Sequence, residues 1–218
     1  MKTAIIFGSS GLIGNYLLNL IVKDDYYQKI KIFVRSKINI NNPKVEIIYD
    51  DFKNLDNLKN IIIGDDCFFC IGTTKKDTPN KNEYRRIEYD MPVNIARIAK
   101  LNSINSFLYI SSMGANSKTS NDYLKNKGQA EDELMKLNFK KLAILRPSLL
   151  LGRRKSFRLG ERIAQLIITK ISFIFFGKIK KFKPIKALDV AKALIDIAKN
   201  NHEINFFESN KLADLSKK

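Results

Sequence analysis

The chain predicts a doubly wound α/β fold, a parallel sheet covered by helices on both faces. Two observations carry that expectation. Short apolar runs alternate with segments of helical periodicity from end to end, and most of the runs are continuously apolar, as in strands buried on both faces. The first strand and helix are also joined by three glycines at a spacing of three, Gly8, Gly11 and Gly14.

The elements follow in order. Ala4-Ile5-Ile6-Phe7 predicts a strand over 3–7, and the apolar periodicity from Leu12 to Val22 predicts a helix over 12–23. Lys31-Ile32-Phe33-Val34 marks a second strand at 30–34, and further strands are expected at 45–48 and 66–71. Phe107-Leu108-Tyr109-Ile110 places another at 105–110, with one more at 141–146. Helices are expected at 54–61, 82–101, 122–137, 158–170 and 187–200. A late strand is expected near Asn205-Phe206-Phe207. No repeat, low-complexity linker or Pro/Gly-rich hinge divides the chain. One domain over 1–218 is expected, with 153–185 as a small C-terminal helical cap.

Composition narrows the function. The chain has 218 residues, 44% of them apolar, which is enough for one α/β domain with a real core. No stretch approaches the ~20 apolar residues that span a bilayer. The N-terminus runs straight into a strand with no signal peptide, so a cytoplasmic protein is expected. The net charge of +17 invites nucleic-acid binding, but the basic residues are scattered and carry no recognition module, so no specific nucleic acid is expected. The clearest basic cluster is Arg153-Arg154-Lys155 with Arg158, then Lys178, Lys180, Lys181 and Lys183, around the apolar stretch Ile163 to Phe176. A segment of this kind can lie on an anionic membrane surface, giving a peripheral contact through 153–183. A core helix with solvated lysines is the plainer account. Cys67 and Cys70 are three apart on an expected strand and point to opposite faces, which argues against a shared metal or disulfide. No metal site is expected.

Three further features point to chemistry. In Gly8-Ser9-Ser10-Gly11-Leu12-Ile13-Gly14, Gly8 permits a tight turn and Gly11 lets backbone approach a pyrophosphate. Gly14 lets the helix pack closely on the strand, and the helix amides face the phosphates. The second strand ends at Arg35-Ser36, about 20 residues past Gly14, where such folds read the ribose. An acid there would suit NAD, whereas Arg35 can grip a 2′-phosphate, so NADP(H) is favoured over NAD(H). Tyr123 and Lys127 stand four apart on one helix face, where an ammonium lowers the pKa of a phenol that passes protons. Ser111-Ser112 close the strand before them and can bond the same substrate oxygen.

This set of motifs resembles the short-chain dehydrogenase/reductase superfamily. GSSGLIG has the glycine spacing of its extended and atypical branches. Asp51-Phe52 resembles the adenine-contacting acid after the third strand. Cys70-Ile71-Gly72-Thr73-Thr74 resembles the cofactor loop after the fourth. Arg146-Pro147-Ser148-Leu149-Leu150-Leu151-Gly152 resembles the turn entering the substrate cap. The likeness is greatest to small atypical members, NAD(P)H-binding or nucleoside-diphosphate-sugar epimerase-like, of the Tat-interacting oxidoreductase type. It covers the chain to about residue 200.

The resemblance implies Ser112, Tyr123 and Lys127 as catalytic residues, with Ser111 as the alternate serine. It implies that Lys127 also holds the cofactor ribose. The asparagine of the family's central helix has its place near Tyr89-Asp90, and helices 82–101 and 122–137 could pair across a two-fold. A monomer or homodimer is expected. Two readings of function follow. One is an NADP-dependent oxidoreductase or epimerase-like enzyme acting on a carbonyl or alcohol of an unidentified small molecule. The other is a non-catalytic NADPH-binding sensor, assembly factor or membrane-surface scaffold.

Overall fold

The computed structural model describes residues 1–152 and 182–217. The main sheet takes strands β1 (Thr3–Phe7), β2 (Lys29–Val34), β3 (Val45–Tyr49), β4 (Asp66–Phe69), β5 (Ser106–Ile110), β6 (Lys141–Arg146) and β9 (Phe206–Glu208). All seven are parallel, in the order β3-β2-β1-β4-β5-β6-β9. A separate ribbon pairs β7 (Leu150–Leu151) with β8 (Ile185–Lys186). The first three strands step outward in one direction, and β4 returns to the other side of β1. That reversal leaves a crevice beyond the carboxyl ends of β1 and β4, where ligands of open α/β sheets settle.

Side-chain alternation along each strand feeds two cores. Ala4 and Ile6 join Ile32, Phe68 and Leu108 on one face, under α1 (Leu12–Ile21) and the helix Ala187–Lys199. Ile5 and Phe7 join Phe33, Phe69, Phe107 and Tyr109 on the other. There the rings of Phe33, Phe7, Phe69 and Phe107 form a cross-strand ladder, with centroid spacings of 4.5, 5.9 and 6.4 Å. The sheet is thus apolar on both faces, which explains why its strands read as unbroken apolar runs.

The second face is covered by two helices. Lys81–Arg85, Arg86–Asp90 and Met91–Leu101 run on as one helix, α2, and Asp122–Lys136 forms α3. The middle of α2 is a π-turn, in which the Met91 amide reaches back five residues to the Arg86 carbonyl. Pro92 supplies a cause. It has no amide to return to the Glu88 carbonyl, so regular α-helical bonding fails there. Ala187–Lys199 is α4, and Ser209–Leu215 is α5.

The differences from the expected elements are local. The helix expected over 54–61 shortens to a single 3₁₀ turn, Leu55–Leu58, capped by the Asn54 side chain. Asn and Asp side chains compete there with helical backbone bonds. The strand expected over 66–71 stops at Phe69, and Cys70 and Ile71 belong to the loop that follows. Cys67 lies in one core and Cys70 packs against the other, both as free thiols. The expected helix over 158–170 and most of the basic cap segment lie outside the described residues. Among the described residues no helix is long and apolar enough to cross a membrane, and no cluster could hold a metal.

Candidate active site

The glycine turn carries β1 into α1. Gly8 has φ 86°, and a β-carbon there would lie 2.8 Å from the Cys70 carbonyl carbon. At Gly14 a β-carbon would lie 2.1 Å from the Gly8 oxygen, so helix and turn touch backbone to backbone. At Gly11 the one atom within 4 Å among the described residues is that same oxygen, at 3.2 Å. Gly11 is also the N-cap of α1, and no side chain caps the helix amides. Ser9 is fully buried, and its hydroxyl has no hydrogen-bond partner among the described residues. Ser10 and Gly11 are exposed, Leu12 is half-buried and Ile13 is buried. An open backbone cradle, uncapped amides and an unpaired hydroxyl fit a pyrophosphate.

The ends of β2 and β3 flank this turn. Arg35, Ser36 and Lys37 are exposed just past β2, and Arg35 hydrogen-bonds nothing among the described residues. Asp51 is exposed, and its carboxylate accepts the Lys53 amide at 2.9 Å. Phe52 is buried in the left-handed region, φ 58°, with its ring 6.1 Å from that of Phe7. Arg86 donates to the Phe52 carbonyl at 2.7 Å and forks onto Glu83, which fixes this loop on α2.

The loop after β4 and the middle of α3 meet at one residue that the sequence reading did not single out. Lys127 is 3% exposed, and its ammonium donates to the Ile110 carbonyl at 3.0 Å. It pairs with Glu88 Oε2 at 2.9 Å and lies 4.7 Å from the Tyr109 ring centroid. Glu88 is 1% exposed, and its Oε1 accepts the Thr73 amide at 2.5 Å. A β-carbon on Gly72 would sit 3.5 Å from Glu88 Oε1 and 4.0 Å from Lys127 Nζ. Thr74 Oγ1 donates to Asp77, and Thr73 Oγ1 shares a 2.8 Å hydrogen bond with Thr78 Oγ1. Burial alone would push the Lys127 ammonium down. The Glu88 carboxylate, together with Tyr109 and Tyr123, outweighs it and holds the group above the ordinary lysine range.

Tyr123 stands half-buried in the first turn of α3, one turn before Lys127. Asn121 caps that turn by accepting the Leu124 amide at 3.1 Å. Lys75 pairs with Asp122 at 2.9 Å, so the loop after β4 also reaches the start of α3. Gly128 lets the loop after β5 lie on α3, since a β-carbon there would sit 2.3 Å from the Ser117 nitrogen.

The two serines after β5 take different places. The buried Ser111 hydroxyl donates to Glu131 Oε1 at 2.5 Å, and Arg146 forks onto the same carboxylate, with Nε at 2.9 Å. Ser111 and Arg146 are thus brought together by Glu131. Ser112 is half-buried, and among the described residues its hydroxyl has only a long contact, 3.4 Å, to the next carbonyl. The Pro147 carbonyl accepts the Met113 amide at 3.0 Å and joins this loop to the end of β6.

Tyr89-Asp90, expected near the place of the central-helix asparagine, do not face Lys127. Tyr89 lies under the Arg85 guanidinium, 4.1 Å away, and Asp90 lines a separate cavity of about 420 Å³ beside Phe52 and Arg97. Glu88 faces Lys127 instead. The sequence did hold a signal for it: Tyr84, Ile87, Glu88, Met91 and Ile95 follow the buried stripe of a helix, and one of them is a carboxylate.

A family model described as NAD(P)H-binding matches residues 8–201. The chain belongs to the NAD(P)H-binding family. Within it, this NAD(P)H-binding chain is an atypical short-chain dehydrogenase/reductase of the Tat-interacting type. It is 31% identical to Protein FMP52, mitochondrial, of Candida albicans over 202 residues, which is 90% of this chain and 87% of the relative. It is 32% identical to Protein HTATIP2 of Rattus norvegicus over 170 residues, 75% of this chain and 69% of the relative.

Its fold is shared with a UDP-N-acetylglucosamine 4-epimerase of Methanobrevibacter ruminantium solved with UDP-N-acetylmuramic acid. That match has a TM-score of 0.70 at 16% identity and covers 94% of this chain and 75% of the other. The enzyme WbmH of Bordetella bronchiseptica, solved with NAD+, matches with a TM-score of 0.70 at 15% identity, over 95% and 75%. The expectation of a cytoplasmic protein is corrected by the fungal relatives. Those of Candida albicans, Scheffersomyces stipitis and Debaryomyces hansenii are all named mitochondrial.

Proposed function

We propose that this chain is an NADP(H)-dependent oxidoreductase that interconverts a carbonyl and an alcohol on a small molecule. The observation that carries this reading is the convergence at one edge of the sheet. The glycine turn after β1, the Gly72–Thr74 loop after β4, Ser112 after β5 and the Tyr123–Lys127 face of α3 all lie past the strands' carboxyl ends. Bound cofactor would supply a hydride to a carbonyl carbon, or take one from the alcohol carbon. Tyr123 would hand its hydroxyl proton to the carbonyl oxygen in the first direction and recover it in the second. Ser112, whose hydroxyl has no strong partner among the described residues, would orient that oxygen. Lys127 would hold the ribose beside Tyr123, and the open backbone at Gly11 would take the pyrophosphate. Arg35 supports the 2′-phosphate form of the cofactor, because it is exposed, hydrogen-bonded to nothing among the described residues and placed at the end of β2.

The rival reading, a non-catalytic NADPH-binding module, draws support from Lys127, whose ammonium already serves Ile110, Glu88 and the Tyr109 ring. The two part in one experiment: NADPH binding by nicotinamide fluorescence, followed by NADPH consumption across a panel of aldehydes and ketones. Binding with turnover supports the enzyme, and binding without turnover supports the module. The names of the fungal relatives support a mitochondrial location, which fractionation of the source cells tests.

A further inference from the structure

We propose that Glu88 is a positioning residue: its carboxylate fixes the Lys127 ammonium and ties the Gly72–Thr73 loop to it. The inference rests on the reading of Lys127 as a cofactor-holding residue and deepens it.

The geometry is specific. One carboxylate oxygen lies 2.9 Å from Lys127 Nζ and the other accepts the Thr73 amide at 2.5 Å. Glu88 therefore bridges α3 and the loop after β4. Both side chains are almost fully buried, at 4% and 0% exposure. A lone ammonium at that depth is costly, and so is a lone carboxylate, so each is the condition for the other's charge. The π-turn of α2 holds the Glu88 segment, and the Tyr109 hydroxyl lies 3.5 Å from the Glu88 carbonyl that Pro92 cannot serve.

The titratable groups around Lys127 come from every neighbouring element. They are Glu88 and Tyr84 on α2, Tyr109 on β5, Cys70 just past β4, and Tyr123 on α3 itself. Among these Glu88 is the carboxylate and the others are phenols or a thiol. Burial pushes the Tyr84 and Tyr109 phenols up and the Cys70 thiol up to about 12. They stay neutral near pH 7 and cannot replace the missing charge.

The test is Glu88→Gln, which keeps the shape and the acceptor for Thr73 but removes the charge. Burial should then win at Lys127 and bring its proton loss down toward neutral pH. Two readings between about pH 6 and pH 9, each taken relative to the wild type, should move in opposite directions. The NADPH affinity deficit should grow, by about fivefold or more, as the amine loses the proton it donates. The thermal midpoint deficit should shrink, because the unfolded chain then binds a proton that the folded one lacks, and stability rises with pH. Glu88→Asp, which keeps the charge but not the reach, should show neither trend.

A folded Glu88→Gln protein with the wild-type pH profile in both readings would overturn the proposal. If Glu88→Gln fails to fold, the double variant with Lys127→Met decides. Recovery of folding supports a charge held by Glu88, and failure of the double variant overturns it in favour of packing alone. Absence of NADPH binding by the wild-type chain would sink the function reading instead, and the thermal trend would still judge Glu88.

Discussion

Gly14 meets Gly8 so closely that a β-carbon on Gly14 would fall 2.1 Å from the Gly8 carbonyl oxygen, whereas one on Gly11 would stand 3.2 Å from it. The two positions therefore answer to different demands. Gly14→Ala should destabilise the fold by about 1–3 kcal/mol, because backbone must move against backbone. Gly11→Val should cost about 1 kcal/mol, since its β-carbon presses on one backbone oxygen alone and at the longer distance, yet it should abolish NADPH binding by filling the pyrophosphate cradle. Denaturant midpoints and fluorescence titrations measure both. Wild-type affinity in Gly11→Val would reduce the turn to a structural role.

Ser9 offers a test with opposed readouts. Its hydroxyl is buried and has no partner among the described residues, which costs the fold stability. Ser9→Ala should raise stability by about 1 kcal/mol and weaken NADPH binding severalfold. A variant that is both less stable and binds as the wild type would contradict the assignment of this hydroxyl to a ligand.

Arg35 should set the choice between cofactors. The guanidinium is exposed and bonds nothing among the described residues, so a 2′-phosphate could take it without breaking a native contact. A charged contact of this kind is worth about 1.5–3 kcal/mol, or roughly tenfold and upward in affinity. Arg35→Ala should lose that factor for NADPH and leave NADH binding unchanged. Equal losses for both cofactors would show that Arg35 does not read the ribose.

Tyr123→Phe isolates the proton. The ring stays, the hydroxyl goes, and NADPH affinity should hold within about twofold. Turnover should drop by roughly 10²–10⁴, the usual contribution of a general acid or base. Unchanged turnover would remove Tyr123 from the chemistry. Full biological function in Tyr123→Phe, lost only in a glycine-turn variant, would favour the binding-module reading.

Acid stability should report on the pair that joins the chain just past α1 to the end of α4. Burial pushes the Asp24 carboxyl up, but its hydrogen bond to Lys199, aided by the Tyr26 amide, holds it below the usual range. A carboxylate with a depressed folded pKa stabilises the fold above its unfolded value of ~3.9, and that contribution fades as pH falls through the folded pKa. Asp24→Asn should cost on the order of 0.5–1 kcal/mol at pH 7, and the gap to the wild type should close below about pH 4. A gap that persists at low pH would assign the effect to shape.

What the sequence by itself determined was whatever depends on neighbours along the chain. Apolar runs marked every strand of the main sheet. Gly8, Gly11 and Gly14 marked the turn, and Tyr123 and Lys127 fell on one helix face because four residues make about one turn. Local chemistry also limits helices, as at Asn54–Asn60, where polar side chains reduce the helix expected from periodicity to a single 3₁₀ turn.

Only the tertiary structure decided which charges meet. Glu88 sits on α2 and Lys127 on α3. Their ion pair exists because Phe69, Phe107 and Tyr109 on the sheet bring those helices down side by side, and because a π-turn at Pro92 accommodates the Glu88 segment. In the same way Glu131 took Ser111 and Arg146 and left Ser112 without a strong partner among the described residues. Periodicity says which face of a helix is buried, but not what lies across from it. A buried charge has to be matched by a partner, however distant in the chain, that is met only when the faces close.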